Sequence, residues 1–403
     1  MTMTPAAARR EPDGSPAARA RSYDVGQLRD REFPWAARGD AIYLNNGSTG
    51  PLPRRTVEAL ADFNERRAAP YLITEEVQFG TLRRSRELCA RLINSRPEDI
   101  ALMVNTSYGL NLAARALPIA SGDVVITNDR EFPANIYPWM ALEGKGITLE
   151  RIPCVDGLPD EDALLRALDR PRVRILTTSW VSFASGYRMD LARIGAACRE
   201  RGIYFVVDAI QGLGALTLDV AKTPVDILAC GAQKWLLSPW GTGFVYVRPE
   251  LVSQLEPQAV GWMSTRASEN FGSLVDYDLT YLPDARRFEV ITLPFQEFSG
   301  LNASLELLFE LGPAAVAAHV ADLANRIVDW AQASPDVTLI TPSSPTRRAG
   351  IVTLRPRDTV AAAAKLTQAG VVFSLREGGI RLSPHCYNTR TEVDTALGVL
   401  DAA

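Results

Sequence analysis

Short apolar runs recur along the first three quarters of this chain, and each of them ends in polar or small residues. Longer amphipathic stretches with helical spacing lie between the runs. Parallel strands need a long crossover connection, and a helix usually supplies it. The alternation through roughly residues 41–295 therefore predicts an α/β fold with a mostly parallel central sheet. Its functional residues should lie at the carboxyl ends of the strands.

One lysine, Lys234, stands in a small-residue loop between two apolar runs, 225–228 and 244–247. Burial lowers the pKa of a lysine, and the neutral amine can form a Schiff base with a carbonyl. Another apolar run, 203–207, ends in Asp208. A carboxylate at one strand end and a lysine after the next strand is the layout of a pyridoxal-phosphate (PLP) site. The ordinary alternative is a surface lysine whose stem packs against the protein.

The segments VVDAIQ (206–211) and GAQKW (231–235) resemble motifs of the class V aminotransferase family. The resemblance extends from Tyr43 to about Val399, which is most of the chain. The family consists of fold-type I PLP enzymes and includes cysteine desulfurases and isopenicillin N epimerase-like proteins. The resemblance therefore implies PLP as cofactor, bound to Lys234 as a Schiff base. Asp208 would lie beside the ring nitrogen and keep it protonated, because an opposite charge favours the charged form.

The phosphate of the cofactor has a candidate site where a strand-like run, 100–104, passes through Asn105, Thr106 and Ser107 into an amphipathic stretch. Free backbone N–H groups and the positive dipole end coincide at a helix start, which suits a phosphate. An ordinary hydroxyl N-cap has the same composition. With the lysine motif in the same chain, we expect Thr106 and Ser107 to contact the phosphate.

The resemblance implies further contacts to the cofactor ring. The segment EFPANIYPW (131–139) matches a family segment in which the residue at the position of Phe132 stacks on the pyridine. Phenylalanine offers the flat π face that this contact needs. Desulfurases of the family usually carry Asn at the position of Phe183 to hold the phenolic oxygen. Here we expect Gln211 to make that contact, alone or with Ser182.

Two more cofactor contacts follow from the resemblance. Gln233 precedes Lys234 in the lysine motif and is expected beside the cofactor. The segment RFEVIT (287–292) is similar to a family segment whose threonine reaches the phosphate of the partner subunit. If Thr292 does the same, the active enzyme is a homodimer with a shared active site.

Candidates for substrate contact lie near both ends of the chain. The loop YLNNGSTGP (43–51) is similar to one that lines the substrate entrance in the family, which suggests Asn46 and Gly47. A plain strand–loop–helix junction is the alternative. The segment IRLSPHCYNT (380–389) matches the one whose arginine binds the substrate α-carboxylate. Arg381 would do so through its bidentate fork, and the alternative is a structural salt bridge.

Lys234 is the only evident proton carrier among these residues. One base suits a proton shift between the substrate Cα and the cofactor, so the sequence predicts a PLP-dependent aminotransferase acting on an amino acid or amine. A C–S or β-eliminating lyase and an isopenicillin N epimerase-like epimerase are the alternatives, although no second base is visible. A persulfide-forming desulfurase is not expected, because segment 371–379 holds no cysteine and Phe132 replaces the stacking histidine.

Two other classes of protein fit less well. A dinucleotide-binding oxidoreductase would use the glycines at 212 and 214, but Thr217 stands where a third glycine is needed and the next residues favour an extended chain. A catalytically silent binding protein is possible on any fold. The presence of Lys234, Asp208 and Arg381 together argues against it.

Composition sets the remaining expectations. The net charge of −4 suggests neither nucleic acid nor a membrane surface as partner. Five scattered cysteines indicate reduced thiols in a cytoplasmic protein, and two histidines make a metal site improbable. Residues 1–22, rich in Ala, Arg and Pro, are expected to form a disordered tail. A large PLP-binding domain (23–295) and a smaller α+β domain (296–403) should follow.

Overall fold

The computed structural model of the chain describes residues 22–401. The tail predicted for residues 1–22 lies outside them, apart from its last residue. The strands are β1 (Ile42–Tyr43), β2 (Ile100–Met103), β3 (Val124–Asn128), β4 (Thr148–Ile152), β5 (Val173–Ser179), β6 (Tyr204–Asp208), β7 (Ile227–Gly231), β8 (Gly243–Val247), β9 (Val337–Leu339), β10 (Val352–Pro356), β11 (Val371–Val372), β12 (Ser374–Arg376) and β13 (Gly379–Leu382). The α-helices are α1 (Val25–Glu32), α2 (Pro34–Ala37), α3 (Arg54–Ala68), α4 (Glu75–Ile93), α5 (Thr106–Ala116), α6 (Tyr137–Met140), α7 (Glu161–Ala167), α8 (Leu191–Glu200), α9 (Pro249–Val252), α10 (Phe295–Leu311), α11 (Pro313–Ala333), α12 (Thr359–Gln368) and α13 (Arg390–Asp401).

A seven-stranded sheet in the order β2-β8-β7-β6-β5-β3-β4 forms the centre of the molecule. Strand β8 runs antiparallel to both of its neighbours, and the other pairs are parallel. Every residue of β7 and β8 is buried, as expected for strands that are covered on both faces. The predicted α/β fold with a mostly parallel sheet is confirmed.

The central strands of this sheet bring the two charged candidates together. Strand β6 ends at Asp208, which pairs with Ala229 of β7, and Lys234 follows three residues after β7 ends. The strand before the lysine was predicted at 225–228 but runs to Gly231. Its small residues let helix α5 lie close, since a Cβ on Gly109 would come within 2.8 Å of the Ala229 Cβ. The strand therefore continues through small residues beyond its predicted end, because helix α5 covers the sheet closely there.

A second layer corresponds to the predicted α+β domain. Its antiparallel sheet has the order β12-β13-β10-β9 and packs against α11, α12 and α13. Strand β1, which was assigned to the large domain, pairs with β11, and Leu44 lies in the core of this second layer. The N-terminal segment thus joins both layers. The boundaries at 23–295 and 296–403 stay predictions.

No single helix within residues 22–401 is both long and apolar enough to cross a membrane. Helices α10 and α11 reach that length and composition together, but they bend by 79° at the break between them. The buried apolar side chains of α10, with Val316 and Val320 of α11, belong to the main core, whereas Leu323, Ile327 and Val328 of α11 belong to the core of the second layer.

A buried ion pair stabilises the edge of the central sheet. Arg86 on α4 donates to both carboxylate oxygens of Glu289, at 3.1 and 2.6 Å, and the Leu102 N–H of β2 donates to the same carboxylate at 2.9 Å. The two charged side chains are 9% and 1% exposed. The carboxylate therefore neutralises a buried guanidinium and ends a strand hydrogen-bond ladder at the same time.

Replacing Glu289 with alanine should lower the free energy of unfolding by about 3–5 kcal/mol, because it leaves the Arg86 guanidinium buried without a counter-charge. Urea titration followed by circular dichroism measures this loss. Asp394→Ala is the matched control, since it removes an ion pair with Arg326 in which both side chains are 44% exposed. That change should cost less than about 1 kcal/mol. Equal losses in the two variants would contradict the argument.

Candidate active site

Lys234 and Asp208 lie close enough to influence each other's charge, and the Lys234 Nζ stands 5.6 Å from the centroid of the Phe132 ring. Burial is the main cause that lowers the pKa of Lys234 to about 8; Asp208 opposes this shift, and the Arg381 guanidinium adds to it. An amine with such a pKa is partly neutral near pH 7 to 8. It can therefore act as a nucleophile or as a base.

Asp208 is almost fully buried, and burial raises its pKa to about 7. The Ile210 N–H donates to its Oδ1 at 3.0 Å, and this bond and Lys234 favour the ionised form, whereas Glu131 opposes it. Among the described residues no cation forms a salt bridge with this carboxylate. A positively charged group from a bound molecule would fit beside it.

The lysine loop is held by the residue that follows the lysine. The Trp235 indole N–H donates to the Gln211 Oε1 at 2.8 Å, and the Gln211 amide donates in turn to the Gly47 carbonyl at 2.8 Å. The His385 Nε2 lies 2.9 Å from the Trp235 carbonyl. Its Nδ1 accepts from the Cys386 N–H, so Nε2 carries the proton and donates. Burial lowers the pKa of His385 to about 4, which keeps the ring neutral.

Gln211 was expected to hold the cofactor's phenolic oxygen, but both ends of its side chain already bond within the protein. One amide hydrogen remains free for a further partner, because the group has two. Ser182, the expected helper, uses its hydroxyl to accept from the Ser185 N–H at 3.2 Å. Sequence reasoning did not reveal His385 as a partner of the lysine loop. The signal was its place in the same motif as Arg381.

The start of helix α5 lies at the end of β7. Asn105 caps the helix by accepting from the Tyr108 N–H at 2.9 Å, and the Thr106 hydroxyl accepts from the Gly231 N–H at 2.8 Å. Thr106 is buried and Ser107 is exposed. The structure therefore brings the predicted phosphate-binding residues to the strand that precedes Lys234, with a helix N-terminus available for an anion.

Phe132 is 42% exposed and packs edge-to-face against Phe183, with ring centroids 5.2 Å apart. The neighbouring Glu131 was missed as a functional residue, although it belongs to the same motif. Its carboxylate accepts from the backbone and side chain of Ser179 and from three other side chains, those of Thr178, Asn128 and Asn135. This network fixes the loop that presents Phe132 at the ends of β3 and β5.

Arg381 is 1% exposed and donates to the Ser374 hydroxyl at 3.0 Å, the Phe183 carbonyl at 2.8 Å and the Ser48 hydroxyl at 2.7 Å. Burial, together with the nearby Arg376, lowers its pKa to about 10. The alternative of a structural salt bridge finds no support, because no carboxylate of the described chain pairs with it. A buried guanidinium without a counter-ion is a site for an anion.

The remaining candidates divide into two groups. Asn46 and Gly47 lie within this cluster, since the Tyr387 hydroxyl donates to the Asn46 Oδ1 at 3.3 Å and a Cβ on Gly47 would come 3.3 Å from the Arg381 guanidinium carbon. Gln233 bonds through its carbonyl to the Gly50 N–H. Thr292 differs, because it is exposed and its hydroxyl accepts from the Trp262 indole at 3.0 Å.

Cysteines and metal ligands do not form a second site in the part of the chain that the structure describes. The five cysteines are unpaired and four of them are buried, including Cys386. Cys154 is partly exposed, but burial raises its pKa to about 12. No group of three or more metal-ligating side chains is found between residues 22 and 401. The hairpin of β12 and β13 carries no thiol towards Lys234.

The geometry agrees with the comparisons to known proteins. The family model Aminotransferase class-V matches residues 42–396, so the chain belongs to the class V aminotransferase family. It is 31% identical over 384 residues to the isopenicillin N epimerase of Streptomyces clavuligerus, covering 90% of this chain and 94% of that protein. It is also 31% identical over 315 residues to the uncharacterized aminotransferase YcbU of Bacillus subtilis (strain 168), covering 78% and 81%.

A solved structure gives the same fold. A C-DES mutant with glycine covalently linked to its PLP cofactor aligns with a TM-score of 0.84 and 24% identity, covering 92% of this chain and 98% of that one. The chain is therefore a fold-type I, PLP-dependent class V enzyme. Its residues fit the cofactor, since a buried carboxylate, an exposed aromatic ring, a helix start and a lysine of lowered pKa lie together.

Removing the cofactor should make the Asp208 pKa visible in the stability of the protein. The folded pKa of about 7 lies above the ordinary aspartate value of 3.8, so the contribution of this carboxyl to stability is complete below pH 4 and is lost as the pH rises towards 7. Relative to cofactor-free Asp208→Asn, the cofactor-free wild type should lose roughly 1.4 kcal/mol per pH unit between pH 5 and 7 and no more above pH 8. Thermal melts of both proteins across this range measure the difference, and parallel profiles would contradict it.

Proposed function

We propose that this chain is an amino-acid aminotransferase in which Lys234 is the single proton-transferring base. The observation that carries the proposal is the asymmetry of the pocket around the lysine. Its amine has a lowered pKa and lies near the carboxylate of Asp208, whereas the neighbouring wall consists of the rings of Phe132 and Phe183. One base working beside an apolar wall suits a proton shift along one face.

PLP, when bound, supplies an electron sink for the bond that breaks at the substrate Cα and an acceptor for the amino group. Asp208 would hold a proton on the ring nitrogen by staying ionised beside it, because an opposite charge favours the charged form. Thr106, Ser107 and the first turn of α5 would bind the phosphate. Phe132 would pack on the ring and exclude water from that side.

Arg381 binds the substrate α-carboxylate and so orients the Cα–H bond towards Lys234. The lysine Nζ would take that proton and would return it once the cofactor has accepted the electrons of the broken bond. Its pKa near neutrality suits both directions of transfer, because a base works best when its pKa lies near the working pH. The neutral His385 fixes the loop through the Trp235 carbonyl and takes no part in proton transfer.

Epimerisation and desulfuration each need a group that the described pocket does not offer. Tyr43 is a further acid of this region, because it interacts electrostatically with Arg381. Its hydroxyl donates to the Thr49 carbonyl at 2.7 Å, and burial raises its pKa, so it is a poor second base. A persulfide needs an exposed thiolate near the substrate. Cys230 and Cys386 are fully buried, and burial raises the pKa of both thiols.

We also propose that the working enzyme is a homodimer. Exposed apolar side chains gather in the segment that contains Trp262, Phe271, Val275 and Tyr277, and contiguous patches of this kind are typical of interaction surfaces. Thr292 lies on the same surface through its bond to Trp262. A second copy packed there would receive the Thr292 hydroxyl, which supports the expectation that this residue completes the partner's phosphate site.

Lys234→Ala should lower the rate by at least about 10²–10⁴-fold, because the variant loses its proton-transferring base. The assay pairs amino donors with keto-acid acceptors and measures amino acid, ammonia and the stereochemistry of Cα in parallel. Transamination is supported if keto acid forms while the total amount of amino acid stays constant. Ammonia release or inversion at Cα would replace the proposal by elimination or epimerisation. The control is Lys222→Ala, which changes a lysine that is 84% exposed and should keep the wild-type rate.

Thr292→Ala should weaken PLP binding by about 10-fold or more, since hydrogen bonds to charged groups contribute about 1.5–3 kcal/mol. Spectroscopic titration of the cofactor-free protein measures this affinity, and light scattering measures the mass. We expect a dimer that PLP stabilises by mass action. Thr280→Ala is the control, because its hydroxyl only bonds to the exposed Asp278 within the described chain. An active monomer would refute the dimer proposal.

A further inference from the structure

A second arginine, Arg376, stands beside Arg381 at the end of β12. Its Nη2 lies 3.5 Å from the Ser48 hydroxyl oxygen, and Arg381 donates to the same oxygen at 2.7 Å. Its Nη1 donates to the Leu375 carbonyl at 2.7 Å. The two guanidinium groups therefore meet at one hydroxyl of the N-terminal loop.

These two cations lack a counter-ion. No carboxylate of residues 22–401 forms an ion pair with Arg376 or Arg381. The adjacent Glu377 pairs instead with Arg130 at 3.4 Å. Arg376 acts electrostatically on both Arg381 and Lys234 and lowers the pKa of each. Like charges this close repel each other. The pocket therefore favours a ligand that brings more negative charge than Asp208 supplies.

The donor count of Arg381 leaves room for one carboxylate. A guanidinium has five N–H groups, and Arg381 uses three of them on Ser374, Phe183 and Ser48. The remaining two are divided between its two terminal nitrogens, which is the arrangement that grips one carboxylate in a bidentate way. A substrate α-carboxylate thus satisfies Arg381 and leaves the charge of Arg376 unbalanced.

We propose that Arg376 binds a second carboxylate, carried on the substrate side chain, and that the enzyme therefore takes dicarboxylic amino acids. The proposal rests on the proposed function only in giving the α-carboxylate to Arg381. The Phe183 carbonyl accepts from Arg381, and the Phe183 ring packs against that of Phe132, so this ring pair offers an apolar wall for the methylene groups between the two carboxylates. Arg376 thereby sets the substrate class, and Arg381 binds the group that all amino acids share.

Equilibrium binding to the holoenzyme tests the proposal without turnover. Succinate, glutarate and adipate are the dicarboxylate probes, butyrate is the monocarboxylate reference, and calorimetry gives each Kd. We expect the best dicarboxylate to bind wild type at least about 10-fold more tightly than butyrate, as a charge-assisted hydrogen bond allows. In Arg376→Gln this ratio should fall to near one, and Arg376→Lys should keep part of it.

The matched control is Arg357→Gln, because Arg357 lies at the edge of the same domain and is 85% exposed. That variant should keep the wild-type ratio. If every dicarboxylate binds wild type no better than butyrate, or if Arg376→Gln keeps the ratio, the proposal is wrong even when the enzyme transaminates monocarboxylic amino acids. If the ratio depends on Arg376 while ammonia is released, the substrate class stands and the transaminase proposal fails.

Discussion

The position of Lys234 depends on close backbone contacts from three separate parts of the chain. A Cβ on Gly50 would lie 2.1 Å from the Lys234 carbonyl, and a Cβ on Gly214 would lie 2.1 Å from the Trp235 carbonyl, so neither glycine has room for a side chain. His385, from the small domain, donates to that second carbonyl at 2.9 Å. The N-terminal loop, the connection between β6 and β7 and the small domain thus fix the lysine together. Because the histidine is neutral and buried, this arrangement does not change near neutral pH.

That fixed position has an electrostatic consequence. Burial moves the pKa of Lys234 down to about 8 and that of Asp208 up to about 7. Both pKa values therefore lie near neutral pH. Perturbed pKa values of this kind cluster at functional sites because catalysis needs groups that exchange protons near the working pH. A structural ion pair would instead show a firm salt bridge. The pocket is therefore arranged to receive charged groups from outside the protein and not to satisfy its own.

Local patterns in the sequence predicted the elements that carry the lysine and the carboxylate. Asp208 ends its strand as expected, because the polarity of a strand end is a local property of the sequence. The pairing of β1 with β11 was not predictable in this way, since it joins segments that are far apart in the chain. The same holds for the occupied side chain of Gln211 and the network around Glu131. Contacts between these polar groups depend on how separate elements pack together. The spacing of residues along the sequence does not predict them.

The active site lies between two layers, and this division explains why its charges are unequal. Lys234 and Asp208 come from the central sheet, whereas Arg376 and Arg381 come from the small antiparallel sheet, and Ser48 of the N-terminal loop contacts both arginines. A cationic surface facing a buried lysine would push the two layers apart if it stayed unbalanced. The proposed anionic substrate, bound between them, would remove that repulsion and at the same time contact both layers. In the proposed function this unbalanced positive charge would also select the ligand, and the Ser48 hydroxyl contacts both of the arginines that would bind it.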